Sequence, residues 1–256
     1  MLGHSPGMVH RDGRFLGWAA MAIALVGSTF IAAHEWSRVK TWRVNTIEVT
    51  GSAKRRIVSD LIVWEASISA RGADRFNAYR DLKPNVDKTL AYLKAQGVKP
   101  EEIRVQSAST EALTETEVTG TGENRIEKTI DRGFEITQVI QITSSRVAEI
   151  ERISREVTSL IENGVPVESG TPAYFYTKLG ELKIEMLAEA SKDARTRAER
   201  ILASAGHSGL GKLRQADMGV INVNPSNSTQ TSWDGNNDTT SLEKDIITIV
   251  HVTFDM

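Results

Sequence analysis

Residues 181–206 read ELKIEMLAEASKDARTRAERILASAG, and the rest of the domain is predicted to be built around this stretch. Its apolar residues recur in steps of three and four, which places them on one face of an α-helix. The members of this stripe are Ile184, Leu187, Ala190, Ala194, Ala198, Ile201 and Ala205. Most are alanine, and short side chains let a helix lie close against a sheet. We therefore predict a central packing helix that ends at Gly206, because glycine suits the left-handed residue that follows a helix.

Patterns on both sides of this helix predict an α+β domain over residues 45–256. Strands are predicted at 44–51, 61–70, 103–118, 134–143, 172–177, 213–223 and 246–254. The sequence TGTGEN at 119–124 predicts a hairpin turn that makes 103–118 and 134–143 antiparallel partners. The predicted fold class is therefore antiparallel sheets with three main helices packed on them.

Two more helices are predicted before the central one. The first covers 74–96, and its apolar stripe consists of Phe76, Tyr79, Leu82, Val86, Leu90 and Leu93. Pro84 either kinks this helix or stands in the first turn of a new one. The second covers 146–163, with Ser145 as its N-cap and Gly164 as its stop.

Two groups of residues are candidates for contact with a partner. The loop 224–244, NPSNSTQTSWDGNNDTTSLEK, has few apolar residues and cannot order itself by burial. It is either a flexible, solvated hairpin tip or a contact arm anchored by Trp233. The second group is Arg195, Arg197 and Arg200 on the central helix. These arginines either bind an acidic partner or anionic lipid, or they simply line a solvent-exposed face of the helix.

The N-terminal region predicts a transmembrane anchor at residues 15–36, between a short tail at 1–14 and a juxtamembrane linker at 37–44. From Phe15 to Ala33 the chain has nineteen residues without a charge. As a helix, such a run spans about 28 Å, close to the hydrocarbon core of a bilayer. The alternative is a cleaved signal peptide. We prefer a retained single-pass anchor in contact with membrane lipid, with a cytoplasmic N-terminus and an exported domain.

Composition excludes several classes of function. The chain has 256 residues, a formal net charge of −2 and no cysteine. The charge argues against nucleic-acid binding, which needs a basic surface. Without cysteine the chain has no disulfides, no thiolate metal sites and no cysteine nucleophile.

The motifs predict no catalytic residue, no metal ligand and no cofactor. Residues 206–213 contain the pattern GxxxxGK of a phosphate-binding P-loop, but Leu213 stands where a Ser or Thr is needed. The context also differs, because a P-loop precedes a helix, whereas a helix is predicted to end here. The histidines lack the spacing of a helical metal site, and no Gly-x-Ser-x-Gly elbow occurs, although a triad of distant residues stays open. Glu111, Glu115 and Glu117 share a strand face, which we interpret as solvated rather than as a cation site.

Signature-like residues occur along the central helix and its exit. They are Ala190, Ala194, Arg195, Arg197, Ala198, Glu199, Ile201, Ala203, Ala205 and Gly206, followed by Gly209, Leu210, Gly211 and Leu213. Together with Val49-Thr50-Gly51 they resemble the SIMPL-domain family, also called domain of unknown function 541. The similarity covers residues 45–256, and the N-terminus resembles that of a membrane-anchored bacterial subgroup.

This resemblance implies an α+β fold, an envelope location, homo-oligomers as in some relatives, and a link to oxidative-stress defence as in others. It transfers no catalytic site. We therefore expect a non-enzymatic protein of the bacterial inner membrane, with its domain in the periplasm, that self-assembles or binds an envelope protein partner. The alternatives are a periplasmic ligand-binding or transport-accessory domain with a pocket between sheet and helices, and an enzyme with titratable residues clustered in a polar cleft.

Overall fold

The computed structural model describes residues 12–40, 45–119, 125–207 and 209–256. In chain order the elements are α1 (Asp12–Lys40), β1 (Thr46–Val58), β2 (Leu61–Gly72), α2 (Arg75–Ala95), β3 (Ile103–Val105), β4 (Ser109–Thr119), β5 (Ile126–Ser144), α3 (Val147–Glu156), β6 (Val167–Ser169), β7 (Ala173–Phe175), α4 (Leu179–Ser204), β8 (Leu213–Pro225) and β9 (Glu243–Asp255). Most of the predicted tail, half of the predicted linker and the predicted turn at 120–124 lie outside the described residues.

The helix α1 covers the stretch predicted to be an anchor. Its described side chains, at 18 and 21–36, are exposed. Within the described residues, no helix meets both the length and the apolarity that a membrane span needs. The transmembrane anchor therefore stays a prediction of the sequence.

Two antiparallel sheets form the domain. The first has three strands in the order β1-β9-β8. The second has the order β3-β5-β2-β6, with β4 also paired to β5 and β7 also paired to β2. This arrangement confirms the predicted α+β class. The predicted strand at 103–118 is two strands, β3 and β4, and both pair with β5.

The helix α4 packs on the three-stranded sheet through every fourth residue. The buried row consists of Leu182, Met186, Ala190, Ala194, Ala198 and Leu202. The three alanines were predicted correctly, but the predicted ends were wrong, because Ile184 and Ile201 are exposed. A step of four residues turns the helix slightly more than one full rotation, so the contact row winds slowly around α4. Such a row follows the twist of the strands beneath it, whereas mixed steps of three and four describe a straight stripe.

A glycine in β1 explains the alanines of α4. A Cβ atom at Gly51 would lie 2.1 Å from the carbonyl oxygen of Ala190 and 2.6 Å from the Cβ of Ala194. Helix and strand are thus in direct backbone contact, and larger side chains on either side would push them apart. The same core contains Val49, Val250 and other apolar residues of β1 and β9.

The helix α2 is continuous and contains Pro84. Asp74 caps its start by accepting a hydrogen bond from the Asn77 backbone N–H at 2.8 Å. The predicted stripe was wrong at its beginning, because Phe76 and Tyr79 are exposed and Ala78 is buried. A Cβ at Gly72 would lie only 2.5 Å from the backbone N of Ala78. The end of β2 therefore approaches this turn too closely for an aromatic ring.

The predicted helix at 146–163 is α3 followed by a 3-10 helix at Val157–Asn163. Gly164 ends it with a φ of 75°, as expected from the sequence. The predicted N-cap was wrong. Arg146 occupies the cap position, and the Ser144 hydroxyl accepts the hydrogen bond of its backbone N–H at 3.0 Å.

A buried lysine joins the two sheets. The Lys244 ammonium, at the start of β9, donates to the Tyr174 carbonyl oxygen of β7 at 2.7 Å and to the Asp238 carbonyl oxygen. Burial lowers the pKa of Lys244. Close by, the Tyr174 backbone N–H donates to the Thr239 carbonyl oxygen at 2.7 Å. The segment between β8 and β9 is thus tied to the second sheet.

Candidate functional site

The segment between β8 and β9 folds back over the outer face of the three-stranded sheet, which is the face opposite α4. Two buried asparagines of β8 hold it there. The Asn222 side-chain oxygen accepts from the backbone N–H of Ser232 at 2.9 Å and of Asn236 at 3.1 Å. The Asn224 amide nitrogen donates to the Gln230 carbonyl oxygen at 2.6 Å. Hydrogen bonds to these side chains thus hold the segment in place, although it has too few apolar residues to be ordered by burial.

A third anchor holds the beginning of the segment. The side chain of Asp245 is fully buried and accepts from Arg56 Nε at 3.0 Å and from the Asn227 backbone N–H at 2.8 Å. Lys54 Nζ lies 3.0 Å from the same carboxylate. The hydrogen bond from Arg56 and the neighbouring cations hold the pKa of Asp245 well below its usual range. A buried carboxylate with this many partners is ionised and fixed in place.

Trp233 stands at the tip of a tight turn. The Gly235 backbone N–H donates to the Ser232 carbonyl oxygen at 3.2 Å, and Gly235 has a φ of 82°. Asn222 binds the backbone N–H groups on both sides of this turn. Trp233 is nevertheless 91% exposed. The fold therefore displays an indole ring on a turn that is fixed from both sides.

A cavity of about 460 Å³ lies between this turn and the sheet. Its sheet side consists of Thr50, Asp217, Met218, Gly219, Val220, Asn222, Ile249 and His251, and its loop side of Thr231, Ser232 and Trp233. The strand pairing puts Thr50, His251 and Asp217 side by side across β1, β9 and β8. The cavity therefore combines residues that are far apart in the sequence.

A β-bulge shapes the cavity. The register of β8 against β9 shifts between Met218 and Ile221, so one extra residue of β8 has no partner. A Cβ at Gly219 would lie 2.5 Å from the Ile249 carbonyl oxygen, so the bulge lies directly against β9. A Cβ at Gly235 would lie 2.7 Å from Cγ1 of Val220, so the Trp233 turn rests on the bulge. Bulges of this kind re-aim side chains next to binding sites.

The polar groups of the cavity include a hydroxyl–imidazole pair. Thr50 Oγ1 lies 3.0 Å from His251 Nδ1. Within the described residues, Asp217 forms neither a hydrogen bond nor an ion pair with His251, although the two are neighbours in the sheet. A Ser–His–Asp relay needs a carboxylate bonded to the imidazole. The arrangement is therefore suited to binding through hydrogen bonds rather than to that relay.

Comparison with known proteins places the domain in a family. A family model, SIMPL, described as a protein of unknown function (DUF541), matches residues 47–254. The match covers far more than half of the 256 residues. The chain belongs to the SIMPL family. No curated protein matches the chain significantly.

The arginines predicted as partner contacts lie away from the cavity of this SIMPL domain. Arg195 forms an ion pair with Glu199 at 3.0 Å, and Arg197 forms one with Asp193 at 2.8 Å. All lie on α4, which covers the inner face of the sheet, whereas Trp233 lies over the outer face. The structure therefore does not bring Trp233 and Arg195, Arg197 or Arg200 into one site, and their roles in partner contact stay predictions.

The other predicted chemical groups are also dispersed in the SIMPL domain. Within the described ranges, no group of three or more potential metal-binding side chains occurs. Glu115 forms an ion pair with Arg132 at 2.7 Å, and Glu117 stands opposite Lys128. Gly206 has a φ of 79°, as expected for the residue that ends α4.

A two-stranded ribbon projects from the larger sheet of the SIMPL domain. Strand β4 pairs with β5 from Ser109 to Thr119, but β2 pairs with β5 only from Phe134 onward. In the part of the chain that the structure describes, residues 126–131 of β5 therefore pair with β4 alone. All β4 residues of this ribbon are exposed from Thr114 onward. Sequence reasoning predicted the hairpin but not that its outer half extends beyond the sheet.

The two edges of the smaller sheet differ in protection. At the β1 edge, the Asp193 carboxylate on α4 accepts from the Ser52 backbone N–H at 2.9 Å, and Arg55 binds Glu185 and Glu189. At the β8 edge, the first six residues are exposed, including Met218 at 70%. Helix α4 covers the first edge and leaves the second open. Open strand edges are templates for pairing with another chain.

Proposed function

We propose that this chain is a non-enzymatic, membrane-anchored protein of the bacterial cell envelope whose SIMPL domain assembles with copies of itself. The observation that carries this proposal is the ribbon at residues 114–119 and 126–131. An isolated two-stranded ribbon is marginally stable in water, and three or more strands or a packed helix are needed for independent stability. A second copy that covers the ribbon would supply the missing contacts.

The predicted anchor supports assembly. The uncharged run from Phe15 to Ala33 would hold the chains in the inner membrane with their domains in the periplasm. Confinement of this kind raises the effective concentration of one domain around another, so weak lateral contacts suffice. If the segment is instead cleaved, the domains would be free in the periplasm and would need stronger contacts.

The test measures the mass of the full-length protein in detergent by size-exclusion chromatography with light scattering. We expect a multiple of the 28.2 kDa chain mass. Val118→Asp, which places a charge on the ribbon, should shift the protein toward monomer. A matched control is Val58→Asp, because Val58 is 55% exposed on a strand outside the ribbon and Val118 is 50% exposed.

Two outcomes contradict the proposal. One is a monomeric wild-type protein at micromolar concentration. The other is an equal loss of assembly in Val118→Asp and Val58→Asp, which would place the contact elsewhere. A wild-type monomer that retains a different envelope protein in stoichiometric amounts would favour partner binding over self-assembly.

A further inference from the structure

The cavity beneath Trp233 is built as a ligand site, and it is independent of the ribbon. We propose that it binds a small organic ammonium ion that carries an apolar body. Its volume of about 460 Å³ lies within the range of small-molecule sites, which run from roughly 300 to 1,000 Å³. The charge, the aromatic surface and the rigidity of the cavity each contribute to this assignment.

The charge of the lining favours a cation. Asp217 carries the one carboxylate among the described residues that line the cavity. Its carboxylate has no ion-pair partner in the described part of the chain. A bound ammonium group would compensate this charge and donate hydrogen bonds to it. A bound carboxylate or phosphate would instead be repelled.

The tryptophan in the lining favours the same class of ligand. Trp233 is among the residues that line the cavity, and its side chain is 91% exposed. The face of an indole attracts cations more strongly than the other aromatic rings do. An exposed tryptophan on a fixed turn is also a typical binding anchor, because it offers a large contact area at a low cost in conformational entropy.

The apolar part of the lining favours a ligand with a hydrocarbon or aromatic body. Met218, Val220 and Ile249 line the cavity beside the polar groups. The Thr50 hydroxyl and the His251 imidazole supply hydrogen bonds near Asp217. The ammonium end of the ligand is therefore expected at Asp217 and its body at the apolar residues.

Hydrogen bonds within the chain hold the shape of the site. Asn222 is 1% exposed and fixes Ser232 and Asn236 on either side of the Trp233 turn. A site that is already ordered loses less conformational entropy when a ligand binds. The cavity therefore does not need to close around its ligand.

Isothermal titration calorimetry on the full-length protein in non-ionic detergent tests this proposal, with protein-free micelles as the blank. The probe is phenethylamine, and 2-phenylethanol and phenylacetate are its neutral and anionic counterparts. We expect phenethylamine to bind at least about tenfold more tightly than either counterpart. Asp217→Asn should weaken phenethylamine binding about tenfold, and Trp233→Leu about fivefold.

The matched control for Asp217 is Asp234→Asn. Asp234 is an exposed carboxylate on the Trp233 turn but does not line the cavity, so phenethylamine affinity should stay unchanged. Because Trp233 is exposed, Trp233→Leu keeps the test valid if Asp217→Asn proves unstable. The proposal is overturned if phenethylamine does not bind in the millimolar range, if 2-phenylethanol binds equally well, or if both cavity variants bind like the wild type. The result does not depend on self-assembly.

Discussion

The two faces of the three-stranded sheet are ordered by different forces. On the inner face, apolar burial holds α4 against β1, with Ala190 and Ala194 directly over Gly51. On the outer face, the side chains of Asn222 and Asp245 hold the segment after β8 through hydrogen bonds. Close packing brings the helix and strand backbones into contact around Gly51 on the first face, whereas discrete polar anchors leave a cavity on the second. We therefore interpret the inner face as a scaffold, and we propose the outer face as the recognition surface.

The largest effect is expected from a substitution on the inner face. Gly51→Val should destabilise the fold by about 3 kcal/mol or more, because its side chain would overlap the backbone of Ala190. Urea unfolding of the full-length protein measures this loss. The control is Gly180→Ala in α4, where no atom lies within 4 Å of the added Cβ. This variant should be as stable as the wild type or slightly more stable. Equal stability of Gly51→Val and the wild type would contradict the close packing.

A smaller effect is expected from the corresponding change on the outer face. Asn222→Ala leaves the backbone N–H groups of Ser232 and Asn236 without their acceptor. We expect a loss of about 2 kcal/mol in the free energy of unfolding. The control is Asn237→Ala, because Asn237 is exposed. If both variants unfold at the same urea concentration, Asn222 does not anchor the segment.

The third prediction concerns the pH dependence of the outer face. The pKa of Asp245 is lowered in the folded protein, so its ionised form stabilises the fold at neutral pH. This contribution is present above the ordinary pKa of 3.8 and is lost as the pH falls through the lower folded value. Asp245→Asn should therefore reduce the loss of stability between pH 5 and pH 2, by roughly the amount that one buried carboxylate contributes. Thermal unfolding across this range measures it, with Asp234→Asn as the control. If the stability of Asp245→Asn falls with pH as steeply as that of the wild type, the carboxylate is not held by Arg56.

The smallest effect on stability is expected from Trp233 itself. Because this side chain is 91% exposed, Trp233→Leu should change the free energy of unfolding by no more than about 0.5 kcal/mol. Differential scanning calorimetry provides the measurement. A loss of several kcal/mol would mean that the indole packs into the fold in solution and is not available to a ligand.

The inner face was largely predictable from the sequence. Alanines four residues apart and a glycine in the facing strand are local signals, and both lie in the contact between α4 and β1. The ends of the buried row were not predictable in the same way, because Leu182 and Leu202 are buried only through the winding of α4 over a twisted sheet. The class of fold follows from periodicity, whereas the exact contact row depends on tertiary geometry.

The outer face was not predictable, for a physical reason. Thr50, Asp217 and His251 become neighbours only through the pairing of three strands, and the cavity depends on a bulge that shifts this pairing. The predicted contact arm included Trp233, but its anchors Asn222 and Asn224 carry no distinctive pattern. Gly219 and Gly235 were the available signals. Gly219 marks a position where two backbones come close, and Gly235 marks a position where the backbone meets the Val220 side chain.

Polar anchors fix the segment over the outer face and thereby form the cavity. Amide hydrogen exchange of Ser232 and Asn236 in the unliganded protein tests it most directly. We expect both amides to be protected well above the level of an exposed loop, because each donates to the buried Asn222 side chain. Exchange at the rate of an unstructured peptide would contradict it, because the Trp233 turn would then be unfixed and the cavity would not persist.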